Sequence, residues 1–184
     1  MKEIISCFYP QDDQLRRTLI DHSAKVCRKA LQIAEKSGLG VDLKLVQEGA
    51  LLHDIGIFKC YAPDIFCTGS APYITHGIIG GKLLRSYAAD HGIDLEKHAR
   101  ICERHTGAGL SVEDITLQKL PLPEKDYLPE TLEEKLICLA DKFYSKSANS
   151  TEKTIEDIRR SMKKFGPSTI ERFDELCLIF NIRN

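Results

Sequence analysis

Residues Leu51 to Lys59 read LLHDIGIFK, an apolar run that leads into an imidazole and a carboxylate, with Gly56 two residues later. A carboxylate taken out of water is costly unless it is paired, hydrogen-bonded or bound to a cation. His53 and Asp54 therefore meet either a metal or a satisfied polar contact. Upstream, Asp42 suits an N-cap, and Leu43, Val46, Ala50 and then His53 or Asp54 step by threes and fours. That spacing predicts a helix with the pair at its inward end, which the chain leaves at Gly56.

Helical periodicity continues on both sides. Between Asp13 and Lys36, Leu15, Leu19, Val26, Ala30 and Ile33 form one stripe in which His22 fills the gap, and Gly38 and Gly40 end the helix. After the pair, residues 57–74 carry Pro63, Gly69 and Pro72 with little periodicity, which reads as a long binding loop or lid. His76 then opens a helix closed by Gly92, in which Gly77, Gly80 and Gly81 permit a close neighbour and Ile79, Leu83 and Tyr87 make an apolar row. In the next helix, capped by Asp94, Leu95, His98, Cys102 and His105 share a face. His98 reads as a packing residue and His91 as an exposed one.

Pro121, Pro123 and Pro129 restrict residues 111–130 to a short helix and an extended connection. Thr131 and Glu134 are spaced as a capping box for TLEEKLICLADKFYSKS, whose apolar stripe Asp141 interrupts. Two further helices follow Thr151, broken at Gly166–Pro167, and no segment has a strand pattern. The expectation is an all-α, single-domain helical bundle over residues 1–184, with a core at about 18–147 and C-terminal helices at about 151–182.

The formal charge of -1 gives no global attraction to duplex nucleic acid or an anionic membrane. No apolar run approaches the roughly 20 residues that span a bilayer, and MKEIISCFYPQDD lacks the core of a signal peptide. Seven cysteines without a CxxC pair read as reduced thiols of a cytoplasmic protein.

Six residues at inward or terminal helix positions stand out: His22, His53, Asp54, His76, His105 and Asp141. Helix bundles build metal sites from such facing side chains, and four imidazoles with two carboxylates suit Fe, Mn, Co, Ni or Zn. One ion would take His22, His53, Asp54 and Asp141, and a second His76 and His105 with Asp54 bridging. A metal-bridging hydroxide would be the nucleophile and Asp54 the catalytic residue. Lys59, Lys82, Arg85 and Arg104 lie near these positions and are the expected phosphate contacts.

The ordered pattern H...HD...H...H...D over roughly residues 18–147, with HDIG at 53–56, resembles the HD superfamily of metal-dependent phosphohydrolases. ERHTGAGL and LPETLEEKLICLADKF are similar to a small prokaryotic HDIG subgroup. Size and histidine order also resemble bacterial symmetrical diadenosine tetraphosphate hydrolases. The resemblance implies an all-helical fold, ligation of one or two divalent metals by the six residues, and hydrolysis of phosphoester or phosphoanhydride bonds in a nucleotide or small phosphorylated metabolite. The chain departs from many HDIG proteins in having Ile57 after the glycine, with Lys59 two residues on. It also lacks the GYP signature and paired histidines of the cyclic-di-GMP-hydrolysing branch, since Arg104 precedes His105. A non-catalytic nucleotide-binding regulatory module and a di-iron oxygen-activating enzyme are the alternatives.

Overall fold

The computed structural model describes residues 1–147 and 150–182; Arg183 and Asn184, the end of the expected 1–184 unit, lie outside the described residues. Its longest helix is α2 (Gln14–Ser37), where the Asp13 carboxylate accepts from the Arg16 amide and Gly38 closes the end at φ 67°. Of the expected stripe, Leu19, His22, Val26, Ala30 and Ile33 are buried, while Leu15 at its start is only half-buried. A short helix, α1 (Lys2–Phe8), precedes it without having been expected. The Tyr9 hydroxyl at its end donates to the Ile55 carbonyl at 3.0 Å, tying the N-terminus to the HDIG turn.

The helix before the His-Asp pair is α3 (Leu43–Leu52), capped by Asp42, with His53 as its C-cap residue. Helices α4 (His76–His91) and α5 (Glu96–Arg104) pack against each other. Glycine makes that approach possible, because a Cβ on Gly77 would lie 2.3 Å from the Cys102 carbonyl oxygen. The buried face of α4 is therefore Gly77, Gly80, Gly81 and Leu84, while the expected row Ile79, Leu83 and Tyr87 is only half-buried.

The chain continues through α6 (Val112–Leu117), α7 (Leu132–Asp141), α8 (Ile155–Met162) and α9 (Pro167–Ile179). The Thr131–Glu134 capping box forms as expected, but α7 stops at Asp141 rather than running on to Ser147. None of these described helices is long and apolar enough to cross a membrane.

The connection from Ile57 to Thr75 corrects the expectation that no strands occur. It holds β1 (Cys60–Ala62), β2 (Cys67–Thr68) and β3 (Ala71–Pro72), in the order β2-β1-β3, with a 3-10 turn between β1 and β2. Strands of two or three residues are too short to show alternation in sequence. Gly69 is required there, since a Cβ would meet the Lys59 carbonyl at 2.2 Å.

Two apolar clusters divide the interior. One gathers Val26, Ala30, Val46, Leu136 and Phe173 with their neighbours. The other gathers Ile4, Leu19, Leu52, Ile55 and Leu84. Helix α2 contributes to both, with His22 between Leu19 and Val26, and α3 likewise passes from Ala50 in the first to Leu52 in the second. The polar residues thus collect along the seam between the two clusters.

Candidate metal centre

All six expected residues converge at this seam and are buried. His22, His53, Asp54 and Asp141 each offer a ligand atom within 4.8 Å of the others, as do Asp54, His76 and His105. Asp54 belongs to both groups and divides its oxygens between them. Its Oδ2 lies 3.3 Å from His22 Nε2 and 3.1 Å from His53 Nε2. Its Oδ1 lies 3.3 Å from His76 Nε2 and 3.4 Å from His105 Nε2.

Local backbone geometry fixes three of the imidazoles. Nδ1 of His53, His76 and His105 lies 2.7, 2.7 and 2.8 Å from the carbonyls of Ala50, Tyr73 and Cys102, each three residues earlier. A carbonyl only accepts, so each Nδ1 carries the proton and donates it. In α3 and α5 these carbonyls belong to the last helical turn, where intrahelical partners run out. The neutral ring then presents an Nε2 lone pair to the centre, the arrangement a metal-ligating histidine requires.

Several observations show that cations fit here. Both Asp54 oxygens and His53 Nε2 are buried with no partner in hydrogen-bonding geometry, despite their close neighbours. His76 and His105 bring their Nε2 atoms to 3.0 Å, so two lone pairs repel unless positive charge stands between them. Burial opposes charge on Asp54, but His53 and Lys146 outweigh it and hold its pKa well below the usual carboxylate range. Burial likewise disfavours protonated His53, yet Asp54 and Asp141 raise its pKa to about 9. The field at His53 Nε2 thus asks for a positive charge, which a proton or a metal ion can supply.

His105 contrasts with this. Burial, reinforced by His53 and His76, pushes its pKa down to about 4 against the attraction of Asp54. In the first group, His22 Nε2 lies 2.9 Å from Asp141 Oδ1. The donor set of imidazole nitrogens and carboxylate oxygens fits Fe, Mn, Co, Ni or Zn.

The expected phosphate contacts are placed elsewhere. Lys59 is exposed, with Nζ 5.0 Å from the centroid of the Phe58 ring, and Lys82 is exposed on α4. Arg85 is held by Glu96 at 2.7 Å and Glu103 at 2.6 Å. Arg104 pairs with Glu130 at 2.7 Å and donates to the Leu128 carbonyl. Successive side chains on an α-helix point in different directions, so Arg85 and Arg104 find partners on other segments.

Two residues beside the cluster escaped sequence reasoning. Lys146 reaches back so that Nζ is 2.9 Å from Asp54 Oδ2. It lies beyond the end of α7, where periodicity gives no direction. Tyr73 supplies the carbonyl for His76 Nδ1, and its ring stacks on that imidazole with centroids 4.7 Å apart. Its position three residues before a helix-opening histidine was the available signal.

The family model described as "HD domain" matches residues 19–145. The chain is 39% identical over 126 residues to an uncharacterized protein of Methanocaldococcus jannaschii, covering 67% of this chain and 64% of that protein. It is 40% identical over 127 residues to a tRNA (cytidine(56)-2'-O)-methyltransferase of Picrophilus torridus, covering 69% of this chain but 31% of the relative. The chain thus spans less than two thirds of these curated relatives. Among solved structures it is similar to the HD domain of the L. monocytogenes phosphodiesterase PgpH, with a TM-score of 0.49 and 18% identity over 93% of this chain and 97% of that one.

Proposed function

This chain belongs to the HD domain family, and from that membership we propose that it is a metal-dependent phosphohydrolase acting on a nucleotide or another small phosphorylated metabolite. The observation that carries the proposal is the division of Asp54 between two ligand groups, one oxygen facing each. A pair of divalent ions supplies Lewis acidity toward phosphoryl oxygens and activates water as the nucleophile.

The chain's own residues prepare the site for this chemistry. His53, His76 and His105 would hold the ions through Nε2, their rings locked by carbonyls, and His22 and Asp141 would complete the first group. The Asp54 carboxylate stays ionised and so offers both oxygens at once. Lys146 places a positive charge beside Asp54, where it can meet a phosphoryl oxygen. The walls of the two apolar clusters limit water around the ligands, which strengthens every charge interaction inside.

Metal analysis of the purified protein, followed by a phosphate-release screen across nucleotides, tests the reading. Bound metal with phosphate release that Asp54→Ala abolishes, while the helical circular dichroism persists, is the expected result. Bound metal and tight nucleotide binding without any phosphate release would instead favour a regulatory module.

A further inference from the structure

A cleft of about 560 Å³ opens from Asp141 and is bounded by the 62–74 connection on one side and by α8 with the turn after it on another. Three lysines line it: Lys142, Lys146 and Lys153. Three ammonium groups facing one cavity repel each other unless anions answer them. Two have answers within the protein. Lys142 lies 2.7 Å from Asp141 Oδ2 and donates to the His105 carbonyl at 3.1 Å, and Lys146 rests on Asp54.

Lys153 differs. Among the described residues no carboxylate lies within ion-pair distance of it, although it is half-buried. Its backbone amide donates to the Phe143 carbonyl at 2.9 Å, which anchors the segment against the end of α7. Burial, with Lys142 and Lys146 adding to it against Asp141, pushes the Lys153 ammonium below its usual pKa. The two lysines also stand at different stations, Lys146 at the metal-ligand end and Lys153 just before α8. The lining is otherwise largely apolar, with Ile65 and Tyr73 from the connection, Met162 and Phe165 from the α8 side, and Leu120.

We propose that this cleft binds substrates carrying two adjacent phosphates on an apolar or aromatic body, with the first phosphate beside Lys146, the second on Lys153 and the body against Tyr73 and Phe165. The proposal deepens the phosphohydrolase reading, on which it rests only for the identity of the reacting end. Lys146 already has Asp54; a single phosphate held beside it leaves Lys153 unanswered, whereas the second phosphate of a diphosphate supplies the missing anion. Lys153 is then a specificity residue for diphosphates over monophosphates.

Calorimetric titration with two probes that cannot be hydrolysed, methylenediphosphonate and methylphosphonate, tests this without turnover. In metal-loaded protein, Lys153→Met is expected to weaken methylenediphosphonate binding by about tenfold, as loss of one charged hydrogen bond does. Methylphosphonate affinity should change by less than about twofold, and Lys153→Arg should keep the wild-type preference. Unchanged diphosphonate binding in Lys153→Met would overturn the proposal, and so would an equal loss for both probes or a loss in Lys153→Arg as well. A selective loss stands even when the phosphate-release screen finds no turnover, and turnover that ignores Lys153 sinks this proposal alone.

Discussion

The two ligand groups share Asp54 but are assembled differently. The first joins His22 from within α2 to Asp141 at the end of α7, partners 119 residues apart, and has two carboxylates with Lys142 and Lys146 against them. The second is built from helix ends around one shared carboxylate, with both of its imidazoles locked by carbonyls. The first group offers four donor residues, two of them carboxylates, against three with one carboxylate in the second, so the first is expected to hold its ion more tightly. The second has both imidazoles locked but offers fewer donors, which suits a more exchangeable ion.

Removing the shared residue should erase the contrast and have the largest effect. Asp54→Asn keeps the shape but removes one of the two carboxylates of the first group and the sole carboxylate of the second, and phosphate release should fall by more than about a thousandfold, equivalent to about 4 kcal/mol of barrier. Initial rates with the best substrate of the screen measure it; a loss of less than tenfold would show that the groups act independently of Asp54. Next in size, Asp141→Asn should cost the tighter ion and His105→Gln the looser one. Plasma mass spectrometry after dialysis against a weak chelator would tell them apart, and identical residual metal in the two variants would contradict the ranking.

Gly56 lets the His53–Asp54 turn close onto α4, since a Cβ there would lie 2.3 Å from the His76 carbonyl oxygen and 2.5 Å from the Gly80 nitrogen. Gly56→Ala must push the two groups apart, and overpacking of that kind costs about 1–3 kcal/mol. Thermal melts of metal-free protein should show this, whereas an unshifted midpoint would mean that the turn and α4 can separate freely.

A pH dependence is expected as well. His53 in the folded protein has a pKa raised from 6.5 to about 9, so between these values the folded state binds the extra proton and the unfolded state does not. Its contribution to the stability of chelator-treated protein is therefore complete below 6.5 and lost as pH rises through about 9. A metal ion must displace that proton, so stabilisation by added Mn²⁺ should grow across the same window. Melting curves with and without Mn²⁺ from pH 6.5 to 9 check both signs.

Much of this architecture was legible beforehand. Periodicity, the Asp42 cap and the glycines at 38 and 92 located α2, α3 and α4, and the capping box located α7. The six ligand candidates were legible because burial makes a polar residue on an apolar stripe conspicuous. The short strands after Lys59 were not, and neither was helix α1. The four basic residues expected at phosphate were selected by nearness in sequence, which does not determine direction; Arg85 pairs with Glu96 and Glu103 of α5, and Arg104 with Glu130 just before α7.

By itself the sequence determined which residues are polar within apolar helices, and so which must find partners once buried. Only the tertiary structure decided who those partners are. It aimed each Asp54 oxygen at a different pair of histidines, set three imidazole tautomers against backbone carbonyls, and brought Lys146 and Lys153 to the same cleft. The reason is one of range. Periodicity and capping act over a few residues along a helix, whereas the charge balance of HDIG depends on side chains that close packing brings together from distant parts of the chain.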